Sequence, residues 1–323
     1  MRRGAGLTAW AAAALLVAAV AGAQPVITLD PALGEFPEGV AIDKPGNIWV
    51  TVQPLCEVRR YTSRGDELMR VRLVGDTCIG AGGLAVDATG VAYAAVLTSS
   101  AATRGVYVIH PDGEFHRIDD TGQIAYPNAL VFDHNKGVLY VTDMDLGAVW
   151  RVGLGGVDLW VQHPLLVGTV PPPPPFPPTQ RLGANGIALR HGALFVAVSF
   201  APRIVRIAID DDGSAATPQM LVPPPAFVSR GVFFLDGLQL DVHGNLFVAS
   251  PNLPGIVKLT AEDLALSVLA GPPEGVTAPP LSLVFGTGKG ARKDLFVTVN
   301  QSFGGVGNGV VRVPAGTPGL PLP

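Results

Sequence analysis

The chain has 323 residues, 15% of them charged, and a net charge of −4 at neutral pH. Soluble domains average ~25% charged residues, and so small a net charge provides no electrostatic footprint for nucleic acid. The length would ordinarily suggest about two domains, but that count fails for repeat proteins, whose units are too small to bury a core alone.

Arg2 and Arg3 precede an uncharged apolar run from Leu7 to Val20, followed by Ala21-Gly22-Ala23. A positive start, a short apolar run and a small-x-small site predict a signal peptide over residues 1–23, cut before Gln24. An uncleaved anchor is the alternative, but the run is shorter than the ~20 residues a spanning helix needs. The expectation is a secreted or periplasmic protein, with no stable membrane insertion after cleavage and a mature domain over residues 24–323.

Beyond Gln24 one phrase repeats. A small polar or acidic residue is followed by Gly or another small residue, then a short apolar strand, a turn and a second apolar strand. The first copy is Glu38-Gly39-Val40-Ala41-Ile42-Asp43, followed after a Gly-Asn turn by Ile48-Trp49-Val50-Thr51. Further copies start at Gly83, Asn128, Asn185, Asp236 and Ser282, at successive intervals of 45, 45, 57, 51 and 46 residues. A period near ~45 with paired short strands is the mark of propeller blades. The rest of each period supplies two more strands, such as Glu57–Thr62 and Leu68–Leu73, or Ala148–Val152 and Val157–Gln162, with turn residues between them. The last period has three strands of its own, and Val26-Ile27-Thr28-Leu29 near the N-terminus is available as the fourth. The predicted fold is therefore an all-β, six-bladed β-propeller closed by the N-terminal strand pairing in the last blade, which removes an exposed edge.

Strand direction sorts the polar residues between two faces. The phrase-initial residues ring the upper mouth of the channel: Glu38, Gly83, Asn128, Asn185, Asp236 and Ser282. The turn residues His134, His191, His243, Asp43, Asp87 and Asp241 fall on the lower face, and no His pair has the spacing of a zinc site. Asn and Asp often begin strands for structural reasons alone. Two carboxylates and two amides facing one axis, however, repel unless a cation or proton intervenes. An all-oxygen donor set selects a hard ion, so Glu38, Asn128, Asn185 and Asp236 are the expected ligands of Ca²⁺, with another divalent metal as the alternative.

Cys56 and Cys78 are the two cysteines. In an oxidising compartment they are expected to pair on the upper face; two small buried thiols are the alternative.

The repeats resemble the senescence marker protein/gluconolactonase/luciferin-regenerating enzyme family of six-bladed propellers, to which the diisopropyl fluorophosphatase type and, more distantly, the paraoxonases are related. The resemblance spans nearly the whole mature chain, from Phe36-Pro37-Glu38-Gly39 to Pro280–Gly286. It is most specific at Gly183-Ala184-Asn185-Gly186-Ile187 and at Leu235–Asp241 followed by Gly244-Asn245-Leu246. It implies a functional metal on Glu38, Asn128, Asn185 and Asp236, and hydrolysis of lactones or organophosphate esters with Asp236 as nucleophile or general base. The family's gluconolactonases read Arg-x-Asn-Asp-Gly at the third blade, whereas this chain has Tyr126-Pro127-Asn128-Ala129-Leu130. An aromatic Tyr126 in the substrate site and an apolar rim suit a less polar small-molecule ester or lactone than a sugar lactone.

The expected function is thus an exported, calcium-dependent hydrolase of the gluconolactonase-like type. The alternative is a non-catalytic propeller that binds a ligand or protein with its upper loops. Two proline-rich connections, Pro171–Pro175 with Phe176-Pro177-Pro178 and Pro223–Pro225 with Phe227 and Phe233-Phe234, are expected to form stiff polyproline II walls at the mouth or to serve as spacers.

Overall fold

The computed structural model describes residues 22–153, 155–168, 181–253, 255–288 and 290–320. Six four-stranded antiparallel sheets surround one axis. After β1 (Gln24–Thr28), blade 1 holds β2 (Pro37–Ile42), β3 (Ile48–Val52), β4 (Glu57–Tyr61) and β5 (Glu67–Arg72). Blade 2 holds β6 (Cys78–Val86), β7 (Ala92–Thr98), β8 (Gly105–Ile109) and β9 (Phe115–Arg117). Blade 3 holds β10 (Pro127–Asp133), β11 (Val138–Asp143), β12 (Ala148–Gly153) and β13 (Gly156–Gln162). Blade 4 holds β14 (Ala184–Arg190), β15 (Ala193–Val198), β16 (Arg203–Ala208) and β17 (Gln219–Val222). Blade 5 holds β18 (Leu238–Leu240), β19 (Leu246–Ser250), β20 (Gly255–Leu259) and β21 (Leu266–Ala270). Blade 6 combines β22 (Pro280–Phe285), β23 (Asp294–Val299) and β24 (Gly309–Pro314) with β1, which pairs antiparallel with β24 and closes the ring.

Burial explains why the ring holds. The two inner strands of blade 1 are buried throughout, whereas the outermost strand, β5, is mostly exposed. Each of the six blade interfaces carries its own apolar cluster. Trp49 and Val58 meet Val86 and Tyr107 between blades 1 and 2, and Phe247 meets Phe285 between blades 5 and 6. A blade alone would expose both faces to water, so stability comes from stacking neighbours.

The turn acids of the lower face are structural. Asp43 accepts hydrogen bonds from the Asn47 backbone and side chain, from Trp49 Nε1 and from Arg60. Asp241 repeats the arrangement with Asn245 and adds Thr317, and Asp87 accepts from the Thr89 and Val91 backbone. On the upper face Cys56 and Cys78 form a disulfide with Cα atoms 5.9 Å apart, as expected from the sequence.

The second proline-rich connection differs from expectation. Pro224–Val228 form a short helix, α1, rather than polyproline II. Proline is at home in the first turn of a helix, where its missing N–H costs nothing. Phe227 turns into the core with Val232 and Leu235 instead of lining the mouth. The first connection, Pro171–Pro178, lies outside the described residues, as do residues 1–21 of the expected signal segment. Among the described residues no helix is long and apolar enough to cross a membrane.

Candidate functional site

The ring residues sit in a β-bulge that recurs at the upper end of the inner strands. In blade 1, Pro37 pairs with Val52 and Val40 with Val50, so Glu38 and Gly39 together face Thr51. The same slip places Asn128-Ala129 opposite Thr142 and Asn185-Gly186 opposite Ala197. In blade 5, Asp236 and Gly237 share the backbone of Ala249. Two positions read from the sequence shift by one. The register puts Gly82, not Gly83, and Leu281, not Ser282, in line with Glu38. The second bulge residue is small because the next blade passes against it. A Cβ on Gly39 would lie 2.5 Å from the Gly82 carbonyl oxygen, and one on Gly186 would lie 2.3 Å from that of Asp236.

Glu38, Asn128, Asn185 and Asp236 are all buried. Asp236 and Glu38 come from blades 5 and 1 but interact across the axis. Burial, and then the negative charge of Asp236, push the Glu38 carboxyl well above its ordinary range. Burial pushes Asp236 up to about 8, against the lowering effect of a hydrogen bond from Asn185. Asn185 Nδ2 also donates to Ser199 Oγ at 3.0 Å. Neither ring carboxylate forms an ion pair among the described residues. Two buried carboxylates without a cationic side chain, joined by two amides, form a donor set that fits a hard divalent cation.

A second layer, which the repeat pattern did not reveal, fixes the ring. Thr298 Oγ1 accepts from Ser282 N and donates to the Glu38 carbonyl at 2.6 Å. Thr142 does the same between Ala129 N and the Asn185 carbonyl, and Thr51 between Gly39 N and the Gly82 carbonyl. Asn300 Nδ2 holds the carbonyl of Pro37, and Asp143 accepts from the backbone of Ala125 and Tyr126 just ahead of Asn128. Asn252 accepts from Phe233 N and Phe234 N just ahead of Asp236. The signal for this layer is a polar residue at or just past the upper end of the second strand, visible once the bulges are aligned.

Tyr126 stands two residues before Asn128 and belongs to an apolar cluster with Met144, Leu182, Phe200 and Phe234. Phe200 and Phe234 stack with centroids 5.0 Å apart. This wall spans blades 3 to 5, beside three of the four oxygen donors. His134, His191 and His243 lie in the turns of the opposite face, and no cluster of three or more His, Cys, Asp or Glu suited to a metal occurs among the described residues.

Solved structures share this architecture. A luciferin-regenerating enzyme superposes with a TM-score of 0.66 at 16% identity, covering 91% of this chain and 97% of its own. The fold is the same. A structure assigned as a gluconolactonase matches at 0.64 and 17% identity, with 94% of each chain covered. Virginiamycin B lyase from Staphylococcus aureus, solved with quinupristin, matches at 0.56 and 15% identity over 86% of this chain and 80% of its own. No protein-family model matches the chain, and neither does any curated protein. The resemblance carried by Gly183–Ile187 and Leu235–Asp241 is thus met by structures of the same kinds, at the level of the fold.

Proposed function

We infer that the chain is a metal-dependent hydrolase of a small, weakly polar lactone or ester. The observation that carries this reading is the pair of buried carboxylates, Glu38 and Asp236, which share an axis with two amides and have no cationic side-chain partner among the described residues. Similarity to a gluconolactonase and a luciferin-regenerating enzyme supports the class of chemistry at low identity.

Glu38, Asn128, Asn185 and Asp236 would hold the cation, with Ca²⁺ as the favoured ion because all four donors are oxygens. When bound, it polarises a carbonyl or phosphoryl oxygen and stabilises the charge that develops there. Asp236 takes the nucleophile or general-base role: it either attacks the carbonyl carbon, breaking the C–O bond to the leaving alcohol and giving an acyl-enzyme that water then hydrolyses, or removes a proton from a water that attacks the same carbon and displaces the same alcohol. Asn185 orients Asp236 through its hydrogen bond, and Ser199 fixes Asn185 in turn. Glu38 is a ligand rather than a base. Tyr126, Phe200 and Phe234 seat the apolar part of the substrate and keep water away from it.

Export belongs to the same proposal: Arg2-Arg3, the apolar run and Ala21-Gly22-Ala23 act as a signal peptide, and the disulfide is compatible with an oxidising compartment. The test is a panel of esters and lactones assayed with Ca²⁺ and with chelator. Turnover that chelator abolishes supports the reading; turnover indifferent to chelator and to Asp236→Asn refutes it.

A further inference from the structure

Beneath the ring the axial channel widens into a cavity of about 990 Å³ that opens on the lower face. This is at the upper end of the roughly 300–1,000 Å³ typical of small-molecule sites. Its inner end is an aliphatic collar formed by Val40, Leu84, Leu130 and Ile187, each two residues past a ring position.

Its mouth is charged, and unevenly so. The lining carboxylates, Asp133 at the end of β10 and Asp210 and Asp211 in the turn after β16, all belong to blades 3 and 4, together with Lys136, Arg190, His134 and His191. Lys44 follows β2 in blade 1, and Arg292 precedes β23 in the adjacent blade 6. Among the described lining residues that sector contains no acid. Among the described residues neither Lys44 nor Arg292 forms an ion pair, and both are exposed. The acids nearest in sequence are already engaged: Asp43 by Asn47 and Arg60, and Asp294 by Arg312. Val284 and Phe285 line the wall of blade 6 on the way to Arg292.

An apolar body entering the collar leaves water at a gain of about 25 cal/mol per Å². An anionic head at the mouth would accept charge-assisted hydrogen bonds from a lysine and an arginine. A wholly apolar ligand would leave the two cations unused, and a compact polar anion would leave the collar unfilled.

We propose that this lower cavity binds a single-chain amphiphilic anion, such as a long-chain carboxylate, with its chain in the aliphatic collar and its head on Lys44 and Arg292. The site uses no ring residue and does not depend on the hydrolase reading.

Titration of the full chain with fluorescent cis-parinaric acid tests it. One saturable site per chain is expected, weakened at least ~tenfold in the doubly charge-reversed Lys44→Glu/Arg292→Glu variant, because two charge-assisted contacts are lost. Both positions are exposed; should the double reversal fail to fold, Lys44→Gln/Arg292→Gln is expected to weaken binding in the same direction. Laurate should displace the probe where dodecanol at equal concentration does not, and Asp236→Asn should bind it as the parent does. Absence of saturable binding, unchanged affinity in the double variants, or equal displacement by dodecanol would overturn the proposal.

Discussion

Glu38 and Asp236, from blades 1 and 5, are buried carboxylates that meet at the channel axis, where the charge of Asp236 adds to burial in raising the pKa of Glu38. Without a cation the folded protein therefore retains protons that the unfolded chain releases near the ordinary values of 3.8 and 4.5. The sign follows from linkage: where the folded state binds more protons, stability falls as pH rises. The metal-free protein should lose melting temperature between about pH 4 and 8, the window set by the raised Asp236 value. Asp236→Asn should flatten that decline, and saturating Ca²⁺ should reverse it by favouring the ionised pair. Calorimetry with chelator is the check, and a melting temperature that rises over this window would contradict the assignment.

The inter-blade threonines separate stability from metal binding. Thr51→Val and Thr298→Val each leave one buried and one partly buried backbone group without its partner, at a cost of about 1–3 kcal/mol. Thr298 bonds the carbonyl of Glu38, a proposed ligand, whereas Thr51 bonds that of Gly82. Both variants should unfold at lower denaturant concentration, but only Thr298→Val should also weaken Ca²⁺ binding. Gly186→Ala, whose Cβ would press on the Asp236 carbonyl oxygen at 2.3 Å, should do the same more severely. Equal Ca²⁺ affinity in Thr51→Val and Thr298→Val would remove the supporting layer from the site.

Blade number, closure and the ring itself were legible in the sequence because each blade must repeat the same inner strand against the same neighbour. Glu38, Asn128, Asn185 and Asp236 stand at the same bulge for that reason. The bulge was not legible, since an extra residue leaves no mark on apolar periodicity. Hence Gly83 and Ser282 were placed one residue late. Thr142 and Thr298 were hidden because a threonine in a strand is unremarkable until its partner in the next blade is known. Pro224 and Pro225 misled because proline is compatible with both an extended segment and the first turn of a helix. The lower cavity depends on side chains from several blades, which no single period displays.

The disulfide closes a sequence separation of 22 residues. On the chain-entropy account its loss should destabilise the fold by about 3 kcal/mol. Guanidinium denaturation of Cys56→Ser/Cys78→Ser against the parent measures this. A shift within error of zero would mean that the denatured chain is already restrained there.

Phe200→Ala and Phe234→Ala each remove half of the stacked wall beside Asp236 and Asn185. Turnover of aryl or long-chain esters should fall by about tenfold or more, given the 0.5–1.5 kcal/mol of an aromatic pair plus lost apolar contact. Turnover of small esters such as acetates should change little, and so should Ca²⁺ affinity. A uniform loss across the ester series would show that the wall supports the fold rather than the substrate.

The most direct measurement is a calorimetric titration of the metal-free protein with Ca²⁺, alongside Glu38→Gln and Asp236→Asn. One site per chain in the parent, strongly weakened in both variants, is the predicted result. Absence of binding in the parent, or undiminished binding in both variants, would contradict the metal centre on which the proposed hydrolysis rests.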